Sequence, residues 1–290
     1  MKKIESIIMD GEAVAGKIYD KIREDYQKAK KAGLLKRAPK LVILLIGENQ
    51  ASLIYVKRKI KACEDLGFEC QLDQRVDAEN YDAEKVVEIV GKYNADKSVD
   101  GIIVQMPLPD GIEPNRVLEA IEPGKDVDGL SPVSYGRTAL GLGFEYFQPC
   151  TANGVVKMLE FYKLPIAGQR VVVVGAGIVA GKAIALMLMN RKATVTVCNS
   201  KTADLGGITK LADILVVATG KAKMITSEMV KPGAVVIDVG ISRNNEGEIS
   251  GDVDFSAVKE KVSFISPVPG GIGKLTVACL MENLLKAALG

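Results

Sequence analysis

VVVVGAGIVAGKAIALML (171–188) decides the fold: a β-branched run, a glycine turn and a helix-forming run follow one another directly. Gly175, Gly177 and Ala180 fit the pattern G-x-G-x-x-A, and a strand before it and a helix after it are the context in which that pattern carries meaning. Glycine is needed at such a turn, and again where a pyrophosphate must approach the backbone at a helix N-terminus, because a side chain would block the approach. Without a ligand, the same residues make an ordinary strand-to-helix turn.

The next strand, TVTVC (194–198), ends in Cys198-Asn199-Ser200-Lys201, with no acid to hold a ribose 2′-hydroxyl. Ser200 and Lys201 are placed to receive a 2′-phosphate, which favours NADP over NAD on charge. An exposed Lys201 of no consequence is the competing reading. Strands DILVVATG (213–220), AVVIDVG (234–240) and VSFIS (262–266) continue the pattern, and a helix over 275–288 ends it. Upstream, LVILLI (41–46), a helix over 51–66, a strand near ECQLDQRV (69–76), a helix over 82–94 and GIIVQ (101–105) give β-α-β-α-β order. Short β-branched runs of this kind are typical of buried parallel strands. A helix over 151–162 precedes RVVVVG (170–175), so two α/β units meet around GLGFEYFQPC (141–150), with the last helix free to pack on the first unit.

A length of 290 residues suits two domains. With 38 Lys+Arg against 36 Asp+Glu, no global field points to nucleic acid or an anionic membrane, and small-molecule partners are expected. No segment has membrane-spanning length, and acids interrupt the basic N-terminus at Glu5, Asp10 and Glu12, unlike a signal peptide. The five cysteines, Cys63, Cys70, Cys150, Cys198 and Cys279, form no C-x-x-C pair, and there is no histidine to complete a zinc site. Reduced thiols in a cytoplasmic protein, with no metal, are the expectation. The absence of histidine also excludes Ser-His-Asp and Cys-His catalysis. Any general base must be a carboxylate, a tyrosine or a lysine of lowered pKa.

LIYVKRKIKA (53–62) carries four cations around one tyrosine. At roughly 100° per residue, Leu53, Val56, Ile60 and Cys63 fall on one arc, the expected core stripe. Lys57, Arg58 and Lys61 point to another side, where water accounts for them. Lys59 lies instead with Ala62, Leu66 and Tyr55, one turn from the tyrosine, so that phenol and ammonium are within reach of each other. A long lysine snorkelling across apolar surface has the same spacing. Three loops add to the picture. Gln105 stands at the carboxyl end of a strand, where open α/β sheets place ligands, and Pro107 and Pro109 stiffen the exit. KDVDGL puts Asp126 and Asp128 in one loop, and either can be a turn-maker. PVPGGIGKLT (267–276) suits a rigid wall against a flat ligand, or an inter-domain connection.

Taken together, Tyr55-x-x-x-Lys59, VQMPLP, KDVDG, PCTANG, the glycine turn and PVPGGIG stand in the order and spacing of one family over nearly the whole length. The chain resembles the bifunctional methylenetetrahydrofolate dehydrogenase/methenyltetrahydrofolate cyclohydrolases. The resemblance implies a two-domain α/β protein. Its N-terminal folate-binding domain, 1–147 completed by the helix 275–290, and its Rossmann-type parallel-sheet domain, 148–274, would flank an active-site cleft. It implies a homodimer that oxidises 5,10-methylenetetrahydrofolate with NAD(P) and hydrolyses the product to 10-formyltetrahydrofolate. Lys59 would be the catalytic lysine, Tyr55 its neighbour over the substrate, Gln105 the group that tunes it, and Asp128 the carboxylate that holds the pterin. Pro269, Gly270 and Gly271 would line the substrate, and Gly175, Ala176, Gly177, Ser200, Lys201 and Ile241 the cofactor.

The chain departs from the family pattern at several points. Gly177 stands where Ser is usual, Ala176 where Arg is frequent, Gly181-Lys182-Ala183 where G-K-P is usual, and Ala152 where PCTP has proline, so contacts to a 2′-phosphate are in question. Lys274 replaces a proline at the start of a helix, where a cation opposes the dipole unless an anion is near. A cofactor phosphate or a folate glutamate tail would supply one; an exposed, mildly costly lysine is the alternative. Two other functional readings remain. A different two-domain dehydrogenase, of shikimate or amino-acid type, leaves VQMPLP and PVPGGIG unexplained. A silent folate- or nucleotide-binding regulator leaves a poised lysine without purpose.

Overall fold

A computed structural model describes residues 5–142, 147–243 and 249–290, without the side chains of Ala51 and Arg243. Residues 143–146 of the expected inter-domain segment lie outside the described residues. The chain forms two compact units: Lys17–Arg137 with Leu142–Cys150 and Val277–Gly290, and Met1–Gly16 with Thr138–Gly141 and Thr151–Thr276.

A short strand, β1 (Ile7–Ile8), precedes helix α1 (Gly11–Lys31). Val14, Ile18, Ile22 and Tyr26 recur every four residues along α1 and are buried. In the first unit β2 (Lys40–Ile46), α2 (Gln50–Leu66), β3 (Glu69–Arg75), α3 (Ala83–Ala95) and β4 (Gly101–Val104) build a parallel sheet of order β3-β2-β4. β2 is buried on both faces from Leu41 onward and β4 throughout, as continuous apolar runs require. β3 is one of the two edges, and Glu69, Gln71 and Asp73 keep it polar. Helices α4 (Pro114–Glu119) and α5 (Pro132–Leu140) follow.

The second unit runs α6 (Cys150–Phe161), β5 (Arg170–Val174), α7 (Gly181–Asn190), β6 (Thr194–Cys198), α8 (Leu205–Thr209), β7 (Ile214–Val217) and β8 (Val235–Asp238). A small hairpin, β9 (Ser242–Arg243) and β10 (Ile249–Ser250), leads to α9 (Phe255–Val258), β11 (Phe264–Ile265) and α10 (Ile272–Leu289). The six-stranded sheet has the order β1-β11-β8-β7-β5-β6, every pair parallel. β5 pairs with β6 on one side and β7 on the other, which makes its carboxyl end the point where the strand order reverses. From Val277 onward α10 clusters with the first unit, where the Cys63 sulfur lies 3.6 Å from that of Met281. The expected two-unit α/β architecture with a parallel Rossmann-type sheet is present. All five cysteines are free, and among the described residues no cluster of three or more potential ligands could hold a metal. Among those residues no helix is long and apolar enough to cross a membrane.

Candidate active site

Helix α2 starts under the side chain of Asn49, which accepts from Ser52 N at 3.1 Å, and stops at Gly67, whose φ of 70° suits a glycine cap. Its buried stripe is Ser52, Val56, Lys59, Ala62, Cys63 and Leu66. This differs from the expected one: Leu53 and Ile60 are only half-buried, and Lys59 occupies the centre of the core-facing arc. Lys59 is 6% exposed and donates to Gln105 Oε1 at 3.0 Å. Gln105 is held in turn by its own Nε2, which donates to Met106 O at 2.7 Å, so its oxygen is left to face the ammonium. Gln105 N continues the sheet ladder to Leu44 O at 2.9 Å, one residue past β4, and the following Met106–Pro107 bond is cis. Ser52 Oγ reaches Met106 O at 3.4 Å, joining the first turn of α2 to the same segment.

The expected meeting of Tyr55 and Lys59 is replaced by another pairing. The Arg58 guanidinium lies 5.7 Å from the centre of the Tyr55 ring, which makes the half-buried Arg58 a cation–π partner rather than a water-facing charge. Burial pushes the Tyr55 phenol above its ordinary pKa. Lys57 and Lys61 are exposed as anticipated, and Lys61 pairs with Asp65 at 3.0 Å.

The two aspartates of KDVDGL divide the work. Asp126, 1% exposed, accepts from Gly129 N and Leu130 N at 3.1 Å, Ser131 N at 2.8 Å and Ser134 Oγ at 2.6 Å. It is the turn-maker. Asp128 is half-buried, and its carbonyl accepts from Cys150 N at 3.2 Å. Burial first and the Asp128 carboxylate second push the Cys150 thiol well above its ordinary pKa. Gly129 sits at φ 72°, and a Cβ there would lie 2.6 Å from Pro149 N, so only glycine allows KDVDG and PCTANG to touch. Asn283 binds both segments, donating to Val127 O at 2.9 Å and Gln148 O at 3.1 Å. Sequence reasoning missed it, although a lone amide beside an apolar helical run is a visible signal.

In the second unit Gly175 stands at φ 112°, and a Cβ on it would meet Ala218 O at 2.1 Å. The close strand-to-helix approach belongs to Gly181, whose Cβ would fall 1.8 Å from Gly175 O, and not to Ala180. The helix accordingly begins at Gly181. A Cβ at Gly177 would meet nothing within 4 Å, so the turn leaves open space where a dinucleotide pyrophosphate needs it. Ser200 and Lys201 are exposed just past β6, and Lys201 N donates to Asn199 Oδ1 at 2.9 Å. Ile241 is half-buried three residues past β8.

At the end of β8 burial, reinforced by the charge of Asp252, pushes the Asp238 carboxyl up to about 7. The folded protein then keeps a proton that the unfolded chain releases near pH ~3.9. Its contribution to stability is complete below that pH and is lost as pH rises through about 7. Wild-type stability is therefore expected to fall by about 2–3 kcal/mol more than that of Asp238→Asn between about pH 5 and 8, measured by urea unfolding. Equal slopes would rule out this site as the source.

PVPGGIGKLT folds back on the chain start: Gly11 N donates to Gly270 O at 2.9 Å, and a Cβ at Gly11 would strike Gly271 O at 2.3 Å. Val268–Pro269 is cis, Pro269 is exposed and Gly271 buried. Lys274 Nζ pairs with Glu12 Oε2 at 2.5 Å, both side chains substantially exposed. A protein carboxylate thus supplies the anion that offsets the helix dipole. Lys274→Ala is expected to leave the Michaelis constants for cofactor and folate unchanged and to cost no more than about 1 kcal/mol of stability. A several-fold rise in either constant would return Lys274 to ligand binding.

A doubly wound parallel sheet with an open glycine turn at its switch point, on a chain whose other α/β unit buries a lysine against a glutamine, defines a two-domain dehydrogenase of the dinucleotide-dependent class. Residues 9–128 match the model of the tetrahydrofolate dehydrogenase/cyclohydrolase catalytic domain, and residues 149–290 that of its NAD(P)-binding domain. The chain belongs to the tetrahydrofolate dehydrogenase/cyclohydrolase family. It is 47% identical over 281 residues to the bifunctional protein FolD of Cupriavidus taiwanensis, covering 97% of each chain. Among solved structures, the bifunctional FolD of Campylobacter jejuni is 42% identical with a TM-score of 0.91, covering 98% of both chains. The Trypanosoma brucei enzyme, solved with NADP and an inhibitor, is 34% identical with a TM-score of 0.91, covering 99% of this chain and 98% of that one. These matches do not favour the shikimate- or amino-acid-type alternative.

Proposed function

We propose that this protein oxidises methylenetetrahydrofolate to methenyltetrahydrofolate with NADP and hydrolyses that product to 10-formyltetrahydrofolate. The observation that carries the reading is the buried Lys59–Gln105 pair on the core stripe of α2. A lysine costs free energy at such a position, and a family reaction that needs a base gives it a purpose.

Hydride leaves the carbon bridging two folate nitrogens, whose lone pairs stabilise the cation that forms, so the first step depends chiefly on alignment. Bound NADP supplies the hydride acceptor. In the second step water attacks the methenyl carbon and gives a proton to Lys59; the bond from that carbon to N5 then breaks, N5 takes a proton, and the formyl group stays on N10. Gln105 holds the amine in place. Asp128 accepts hydrogen bonds from the pterin amino group and ring N–H, which fixes the face presented for hydride loss. Tyr55 stacks over the folate, and Pro269, Gly270 and Gly271 line it. Gly175, Ala176, Gly177 and Ile241 hold the dinucleotide, with Ser200 and Lys201 on the 2′-phosphate. The unit that carries Lys59 and Asp128 serves the folate and the unit of the six-stranded sheet the cofactor, in a cytoplasmic homodimer.

The test is purified protein with methylenetetrahydrofolate and either NADP or NAD, followed by absorbance of the reduced nicotinamide and of the methenyl product. Reduction with NADP at the higher kcat/KM, with transient methenyl absorbance, is the expected result. No reduction with either dinucleotide would defeat the proposal.

A further inference from the structure

Three loops at the carboxyl edge of the large sheet are tied together by two buried carboxylates that have no part in the chemistry above. Asp252, fully buried, accepts through Oδ2 from Thr219 N at 2.5 Å, Thr219 Oγ1 at 2.9 Å and Gly220 N at 2.9 Å, the residues just past β7. Asp238, the last residue of β8, accepts from Gly240 N at 3.0 Å, Asp252 N at 3.1 Å and Val253 N at 2.9 Å. The approach is close enough to demand glycine on both sides: a Cβ at Gly240 would lie 1.9 Å from Asp252 Cγ, and one at Gly251 2.1 Å from Asp238 Oδ2. Ala218, beside Thr219, also forms the wall against which Gly175 of the pyrophosphate turn packs.

Placement gives this cluster a purpose. In a doubly wound sheet the dinucleotide crosses the carboxyl edge at the switch point, here between β5 and β7, and the end of the second strand meets the adenosine ribose. With Ser200 and Lys201 past β6 on the adenosine side, the other half of the cofactor extends over the loops that follow β7 and β8. These are the loops that Asp252 and Asp238 fix.

We propose that Asp252, supported by Asp238, is a positioning residue for the nicotinamide half of the cofactor, setting the Thr219–Gly220 and Gly240–Ile241 turns without touching the adenosine half. This rests on the NADP reading of the same unit. Buried backbone donors deprived of their acceptor rearrange to find another, so losing Asp252 moves the turn and not merely one bond.

The probes are NADP+ and 2′-phospho-ADP-ribose, which lacks the nicotinamide, titrated calorimetrically into the full-length protein. Asp252→Ala is expected to weaken NADP+ about ten-fold, the equivalent of about 1.4 kcal/mol, while leaving the fragment unchanged. Asp252→Asn keeps an oxygen toward Thr219 and is expected to recover most of the loss, which a role of the charge alone would not allow. If Asp252→Ala fails to fold, Thr219→Val, which removes the Oγ1 bonds to Asp252 and from Lys221 N but leaves the backbone donors on Asp252, is expected to weaken NADP+ about three-fold and again spare the fragment. Equal weakening of both probes, or of neither, overturns the positioning role. A wild-type protein that binds neither probe overturns the dinucleotide reading itself.

Discussion

Lys59→Gln is expected to slow hydrolysis of methenyltetrahydrofolate by a factor on the order of 10²–10⁴, the usual contribution of a positioned general base. Folding should survive the change. Glutamine is uncharged, and its amide can still donate to Gln105 Oε1 from the buried arc that Lys59 now occupies. Folate affinity should survive as well, because Asp128 and Tyr55, the groups proposed to hold the pterin, are untouched. The hydride step should fall much less than hydrolysis, since it requires alignment and no base. Lys59→Arg sharpens the test: arginine keeps the positive charge but does not deprotonate in proteins, so it should fail as glutamine does. Decay of methenyl absorbance, folate titration and circular dichroism read the three properties separately. Hydrolysis at the wild-type rate by either variant would remove Lys59 from the chemistry, and loss of the folded state by both would assign it a structural role.

What could be read from residues alone divides by the range of the interaction. The glycine turn, β5 and α7 were legible because their constraints are local: a β-branched run, a backbone that must turn with φ positive at Gly175, and a helix. The third small residue of the turn was misassigned to Ala180 because counting along a pattern cannot show which Cβ would collide, and in the folded chain it is that of Gly181. Helix α1 was legible in principle from Val14, Ile18, Ile22 and Tyr26, yet its charged outer face masks that stripe in any average over the segment.

The candidate site was harder to read, because its groups meet across long stretches of chain. Helical angles separated Lys59 correctly from Lys57 and Lys61, but placed the core stripe on Leu53 and Ile60, since apolar periodicity does not count a lysine as a core residue. What allows the lysine there is Gln105, 46 residues away. Arg58 was read as a solvated charge for the same reason: a ring one turn back on the same helix captures it. The pairing of Lys274 with Glu12 and the bonds from Asn283 to Val127 and Gln148 each join segments far apart in sequence. No local pattern encodes them.

Asp126→Ala should cost about 3–5 kcal/mol of folding stability, within the range of mutations that break a buried polar network. Both carboxylate oxygens are engaged, Oδ1 by Gly129 N and Leu130 N and Oδ2 by Ser131 N and Ser134 Oγ, so alanine takes the acceptor from three buried donors, while Gly129 N keeps its bond to Asp126 O at 3.0 Å. Burial pushes the Asp126 carboxyl up while those hydrogen bonds pull it back, a balance that holds only while the loop stays closed. Asparagine should cost roughly half as much, because its amide must turn an NH₂ toward one pair of donors. The damage should extend to ligand binding: Gly129, held at φ 72° against Pro149, fixes the path of the chain that carries Asp128. Urea unfolding of Asp126→Ala with an unchanged m-value would give the stability loss directly. Asp128→Ala is the control, because Asp128 is only half-buried and its backbone carbonyl, not its side chain, receives Cys150 N. It should unfold within about 1 kcal/mol of wild type while losing folate affinity. Should Asp126→Ala prove as stable as Asp128→Ala, the aspartate that closes the loop would have to be a different one.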